Sequence, residues 1–224
     1  ESFQKMKERD PRYAQGLKLW QEGMQEGIFK PQLHGCEHVH VKRWLRGLKE
    51  GNELLLEAFK WEMWGISRHT TSALNQSLQA AFELDIPGDE EFMISRLEYA
   101  IDAFKETFGN PSVSFTPPNY TWFSRIENVL SENGVKFLQT FNVQRIPSSQ
   151  GITNKRLVHG TTSERALTYM VRNVHFEPSE NPSIDYVSRS MKEISSAFFW
   201  KRPAIISSHR VNYIGAIKNT TWTL

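Results

Sequence analysis

Residues 31–40, PQLHGCEHVH, place two histidines, His34 and His38, four positions apart. A short apolar run precedes them, and a run with helical periodicity follows over residues 41–59. This order of strand end, loop and helix start is where parallel α/β proteins place their ligands. Side chains four apart on a helix have Cβ atoms roughly 5–6 Å apart, close enough for two imidazoles to bind one divalent cation. A chain with seven histidines often contains such a pair by chance, so the predicted metal site needs support from elsewhere in the sequence.

The composition is that of a globular chain with a sizeable core. The 224 residues are 39% hydrophobic and include 14 Phe and 7 Trp, which is enough for one large domain or two small ones. The net charge of +2 and the lack of a basic run predict no nucleic-acid partner. No apolar run approaches the length of a membrane span. The sequence leaves the oligomeric state open.

Cys36 is the single cysteine and lies between the two histidines. One cysteine excludes an internal disulfide. Its thiol is placed to be a third metal ligand, but a small buried filler is the more usual role of a free cysteine and is the role expected here. The chain starts at Glu1 rather than Met, so its location is left open, with the cytoplasm favoured by the cysteine count.

Helical and strand-like segments alternate along the chain. Amphipathic patterns predict helices within residues 1–27 and over 41–59, 72–82, 89–108, 122–133 and 184–200. Short apolar strands are predicted over 29–33, 113–115, 135–140, 167–174 and 204–206, and a long polar surface loop over 142–166. Apolar strands between helices favour a buried parallel sheet with helices outside, either a barrel or a doubly wound sheet.

Polar side chains collect where the predicted strands end. They are His34 and His38, Asn119 and Tyr120, Asn173 and His175, and finally His209 with Arg210 beside it. In a barrel these ends meet at one rim. Three histidines could complete a cation site, since catalytic zinc commonly takes three protein ligands and a water. His40 is expected on the surface. No GxSxG motif or glycine-rich phosphate loop is present, which argues against serine-hydrolase and nucleotide chemistry.

Three motifs resemble those of one family, the polysaccharide deacetylases or NodB-homology carbohydrate esterases. Residues 34–38 (HGCEH) resemble its His-x-x-x-His metal motif. Residues 117–120 (PPNY) are similar to its Pro-Tyr segment, which follows a central strand. Residues 206–209 (ISSH) look like its late Leu-x-x-His motif. The motifs occur in the family's order and span most of the chain.

The resemblance implies an α/β fold, an incomplete (β/α) barrel with about seven strands that forms a single domain over residues 1–224. It implies a hydrolase that removes acetyl groups from an N-acetylated carbohydrate with a divalent metal, zinc by expectation. His34 and His38 would be metal ligands, and His209 the general acid for the departing amine. The backbone near Asn119 or Tyr120 would help to hold the oxyanion. Asn119, Tyr120, Asn173 and Arg210 are the residues expected to contact substrate.

Two departures from the family pattern leave alternatives open. No Asp-Asp pair occurs in the chain, and Phe115 and Thr116 stand where the family has an arginine. Because the family's Asp pair lies upstream of its His-x-x-x-His motif, the first interpretation is that an N-terminal segment with the first strands is missing. The second is a non-catalytic carbohydrate-binding protein on the same fold, whose aromatic side chains stack on sugar rings (Trp61, Trp64, Tyr120 and Trp122). A third is an inactive fragment that associates with itself.

Overall fold

A computed structural model describes residue 8 and residues 10–63 and 77–213 of the chain. Its helices within these ranges are α1 (Pro11–Gln25), α2 (Val41–Lys49), α3 (Glu53–Lys60), α4 (Asp89–Phe108), α5 (Ser124–Glu132) and α6 (Tyr186–Phe199). Its strands are β1 (Ser114–Phe115), β2 (Phe137–Thr140), β3 (Val143–Ser148), β4 (Gly151–Arg156), β5 (Thr168–Val171), β6 (Val174–His175) and β7 (Ile206–Ser207). Short 3₁₀ turns cover Pro118–Tyr120 and Arg210–Asn212.

The central strands pair in parallel and in chain order. Leu33 forms a parallel bridge with Phe115 of β1, β1 pairs with β2, and β2 pairs with β5. Two residues after β5, β6 pairs in parallel with β7. Residues that follow parallel strands lie at the same edge of a sheet, and His34 and Thr116 directly follow such paired positions. The described strands form separate ladders rather than a closed barrel, so the incomplete barrel stays a prediction.

Helix α4 packs on this sheet and supplies much of the core. Its acidic first turn suits the positive end of the helix dipole. Leu97 and Ile101 are 1% and 9% exposed, within one cluster with Phe115 and Leu138, both 0% exposed. Gly109, at φ +75°, ends the helix in the left-handed conformation that glycine adopts easily. The sequence predicted the bounds of α4.

The single helix predicted over residues 41–59 is wrong. The chain leaves the helix after Lys49, passes through Gly51 at φ +75°, and starts α3 with Asn52 accepting the Leu55 N–H. The break ends the common apolar stripe, so Phe59 is 63% exposed although its spacing predicted burial. Asn and Gly are residues that stop one helix and cap the next.

The polar stretch 142–166 holds a hairpin instead of only a loop. Strands β3 and β4 pair antiparallel from Val143 opposite Arg156 to Ser148 opposite Gly151. Strand β4 is exposed along its whole length, so it carries none of the apolar alternation by which a strand is recognised in a sequence. Of the helix predicted over 72–82, residues 72–76 lie outside the described part, and residues 77–82 form turns. None of the described helices is long and apolar enough to cross a membrane.

Candidate functional site

The imidazoles of His34 and His38 meet at the strand-end edge. Their Nε2 atoms lie 2.7 Å apart, and the rings are 4.6 Å apart between centroids. They do not share a helix face, because residues 34–38 form a loop that turns through Gly35 at φ +88° and ends before α2. The predicted pair therefore forms, but a glycine turn rather than a helical turn brings it together.

A backbone contact orients the first of these rings. Nδ1 of His34 lies 2.5 Å from the carbonyl oxygen of Thr116, the residue after β1. A carbonyl accepts, so Nδ1 carries the proton and the Nε2 lone pair of His34 faces His38. Histidines that bind metals commonly have this second contact, which sets the tautomer and the ring orientation.

Both imidazoles are held in the neutral form. Burial lowers the pKa of His34, and the positive charge of Arg172 lowers it further. The hydrogen bond to Thr116 raises this pKa but does not outweigh burial. Burial and the neighbouring imidazole of His34 lower the pKa of His38. Neutral imidazole is the form that binds metals, so the pair is available for a cation at neutral pH.

The donor set fits a divalent cation in part. Two nitrogen ligands on one tetrahedral zinc lie about 3.3 Å apart, so the rings need to separate by only about 0.6 Å from their present contact. In residues 10–63 and 77–213, however, no carboxylate lies within 4.0 Å of either imidazole, and no third ligand completes a cluster with them. Cys36, predicted as a buried filler, is exposed, and Glu37 bonds Arg96 at 2.8 Å.

A second group of polar residues joins the ends of β6 and β7. Nδ1 of His209 lies 2.8 Å from Oε1 of Glu177, a carboxylate that is 1% exposed. Asn212 donates to Oε2 of the same carboxylate at 2.7 Å, and the backbone N–H of His209 donates to it at 3.2 Å. The His209 side chain is 75% exposed. Its Nδ1 is therefore anchored while most of the ring is exposed to solvent, which suits an imidazole that exchanges a proton with a ligand.

The predicted oxyanion segment has an unusual backbone. Asn119 and Tyr120 both have positive φ, +51° and +52°, the left-handed region that non-glycine residues rarely adopt. The Tyr120 N–H donates to the carbonyl of Pro117 at 3.0 Å, so this amide is already engaged. The Asn119 side chain donates to the carbonyl of Gln79. The Tyr120 hydroxyl accepts from Arg172 at 3.1 Å.

The remaining predicted substrate residues are placed differently. Asn173 accepts the N–H of Ile205 at 2.8 Å and donates to the carbonyl of Pro203 at 3.0 Å, so its amide joins the chain leading into β7. His175 lies 3.4 Å from Glu180. Arg210 starts a 3₁₀ turn, and its side chain lies outside the described part of the structure.

His40 is buried, which corrects its predicted surface position. It is 1% exposed, and its Nδ1 accepts the N–H of Arg43 at the start of α2. Its Nε2 points at Asp85 and Asp89, 3.5 Å and 3.8 Å away. The three side chains together could hold a cation. Burial and Arg43 lower the pKa of His40 to about 4, although both carboxylates act in the other direction.

This buried cluster has its own cations. Arg43 bonds Asp85 at 2.5 Å, and Arg46 pairs with both carboxylates. Burial alone would raise the pKa of Asp85, but the hydrogen bond and charge of Arg43 lower it overall. Because Nδ1 of His40 accepts from the backbone, the proton sits on Nε2 and no lone pair faces the carboxylates. The geometry favours an ion-pair network that joins α2 to α4 over a metal site.

The aromatic residues considered for sugar stacking differ in whether they are buried or exposed. Trp122 is 0% exposed and donates to Glu127 at 2.8 Å, so it belongs to the core and its predicted stacking role is wrong. Trp61 is 64% exposed, and Trp64 lies outside the described residues. Next to His34, an open groove is lined by aromatic side chains of α1, α4 and the segment between α1 and α2, namely Trp20, Phe29, Phe104 and Phe108.

The sequence interpretation gave Glu177 no functional role, and it considered Arg172 for substrate contact on its position alone. Glu177 and Arg172 follow strand ends, which is a weak signal shared by many residues. Their partners, His209 and Tyr120, are 32 and 52 positions away.

Comparisons with protein-family models, with curated proteins and with solved structures found no match to this chain.

Proposed function

We propose that this protein is a metal-dependent hydrolase that removes acetyl groups from an N-acetylated carbohydrate, on an incomplete (β/α) barrel of the polysaccharide deacetylase type. The observation that carries the proposal is the meeting of His34 and His38. Their Nε2 atoms converge at 2.7 Å, with the His34 tautomer set by Thr116. Parallel pairing of strands in chain order also supports the proposal, because successive strands of such barrels are neighbours.

Each residue has a definite role in the proposed reaction. His34 and His38 would hold the cation, zinc by the family resemblance. When bound, such a cation polarises the acetyl carbonyl and acidifies a water. His209 presents a proton to the departing amine from its solvent-facing nitrogen. Glu177 accepts the Nδ1 proton and holds the ring in position, as the buried carboxylate of a catalytic triad orients its imidazole.

Metal content tests the pairing of the two histidines. Zinc is added to the purified chain, the excess is removed by dialysis, and the bound metal is measured by elemental analysis. We expect about one ion per chain in a version extended upstream, where the resemblance would place the third ligand, and little in the chain of 224 residues. His34→Ala and His38→Ala should each remove the ion from the extended protein, because a zinc site needs three or more protein ligands. His159→Ala is the matched control, because it removes an imidazole of a different loop.

Acetate release tests the reaction itself. The substrate is an N-acetylglucosamine oligomer, assayed with the chain of 224 residues and with a version extended upstream, where the resemblance would place the catalytic base. We expect release that depends on zinc, on His34 and on His209. Zinc content well below one per chain in both proteins, together with an unchanged rate for His34→Ala, would reject the proposal.

One observation favours the second candidate, a non-catalytic carbohydrate-binding protein on the same fold. Within residues 10–63 and 77–213, no carboxylate lies within 4.0 Å of His34 or His38 to act as a base. The aromatic groove beside His34 offers rings for sugar contact. Oligosaccharide binding that persists after chelation, without acetate release by the extended protein, would select this function over the first.

A further inference from the structure

Arg172 projects from the strand-end edge directly after β5. Its backbone N–H donates to the carbonyl of Thr140 at the end of β2. Its Nη1 donates to the Tyr120 hydroxyl at 3.1 Å, and the guanidinium carbon lies 6.0 Å from the centre of the Tyr120 ring. The Arg172 backbone is thus held by the sheet, and its guanidinium is held by the segment after β1.

This guanidinium has no counter-ion in the described part of the chain. Arg43 and Arg96, which are also half-buried or more, each bond a carboxylate. Arg172 is half-buried and forms no ion pair with any residue of 10–63 or 77–213, and its Nε is buried without a hydrogen-bond partner. Charged side chains are rarely buried unless they are paired. The missing partner is therefore expected from a bound molecule.

The residues that contact Arg172 are packed against neighbouring side chains and adjoin the histidine pair. Tyr120 packs edge-on against Phe141, with 4.6 Å between ring centroids, and its φ of +52° is retained in spite of the steric cost. The five-residue segment 116–120 contacts His34 through the Thr116 carbonyl at one end and Arg172 through Tyr120 at the other. His34 and Arg172 therefore contact the two ends of one five-residue segment at the same edge of the sheet.

We propose that Arg172, held by Tyr120, binds a carboxylate group beside the His34–His38 pair. A planar guanidinium with free donors matches a carboxylate better than it matches neutral hydroxyl groups. This inference rests on the proposed function and narrows its substrate class. The carboxylate belongs either to an acidic sugar of the N-acetylated substrate or to the acetate that the reaction releases.

Binding calorimetry separates these two sources without requiring turnover. The probes are an oligosaccharide in which N-acetylglucosamine alternates with glucuronate, a neutral N-acetylglucosamine oligomer of the same length, and sodium acetate. We expect Arg172→Gln to weaken binding of the acidic oligosaccharide by at least about tenfold, the effect of losing one charge-assisted contact. Binding of the neutral oligomer should not change. Arg165→Gln, which removes an exposed guanidinium from another loop, is the matched control.

The binding results distinguish a carboxylate of the substrate from the acetate product. A selective loss for the acidic oligosaccharide assigns the carboxylate to the substrate, and a tenfold loss confined to acetate assigns it to the product. Equal binding of all three probes by Arg172→Gln and the unmodified protein overturns the inference. Arg172→Lys and Tyr120→Phe are smaller changes to the same contact. They allow the binding test to be made if Arg172→Gln does not fold. Because no turnover is needed, absence of acetate release would reject the deacetylase function while these binding results still decide the role of Arg172.

Discussion

Replacing Glu177 with glutamine tests whether this carboxylate acts through His209. The carboxylate is 1% exposed and accepts three hydrogen bonds, from His209 Nδ1 at 2.8 Å, from Asn212 at 2.7 Å and from the His209 backbone at 3.2 Å. Both of its oxygens face donors. A glutamine amide offers only one oxygen, so its NH₂ group must face a donor or force His209 into the other tautomer.

The size of the effect follows from these contacts. A hydrogen bond to a charged acceptor contributes about 1 kcal/mol more than one to a neutral acceptor, so three bonds lose about 3 kcal/mol. Burying an amide instead of a charge offsets about 1 kcal/mol of this loss. We expect Glu177→Gln to be less stable by about 2 kcal/mol, measured by urea unfolding. Glu180→Gln, which removes an exposed carboxylate nearby, should be neutral.

The effect on the proposed reaction is larger and specific to kcat. A general acid contributes about 10²–10⁴-fold, so an imidazole held in the wrong tautomer should lower kcat about a hundredfold with little change in KM. A double-mutant cycle measures the dependence of one residue on the other. In a His209→Ala background, Glu177→Gln should lower kcat no further. The same loss in both backgrounds, or a change confined to KM, would refute a role for Glu177 through His209.

Three other predictions concern the stability of the fold and use urea unfolding. Burial, with a contribution from Glu127, raises the pKa of Tyr169 to about 12. The contribution of the protonated Tyr169 to the free energy of unfolding is therefore complete below pH 10 and should fall by about 3 kcal/mol as the pH rises toward 12. Tyr169→Phe should not show this loss. Arg43→Met leaves the Asp85 carboxylate short of its main partner and should cost about 3 kcal/mol, partly restored by adding Asp85→Asn. Leu138→Ala, at a position 0% exposed, should cost about 2–5 kcal/mol, whereas an unchanged midpoint would contradict its place in the core.

Local signals were sufficient for part of this structure. Helix α4 has an acidic first turn, an apolar stripe and a Gly-Asn-Pro stop, all contained within residues 89–111, and its bounds agree with the prediction. The meeting of His34 and His38 also depends on residues four apart. Sequence patterns were misleading where a single residue interrupts a regular run, as Gly51 does between α2 and α3.

The sequence by itself determined the central helix, the positions of β1, β2 and β5 and the spacing of the histidine pair, because these depend on neighbours within a few residues. The strand predicted over 29–33 is reduced to a single bridge at Leu33. Tertiary structure alone decided that Glu177 anchors His209, that Tyr120 holds Arg172 and that His40 is buried beside Asp85. Each of these contacts joins residues more than 30 positions apart in the chain. Their formation depends on which strands are neighbours and in which register they pair, and no local propensity specifies either.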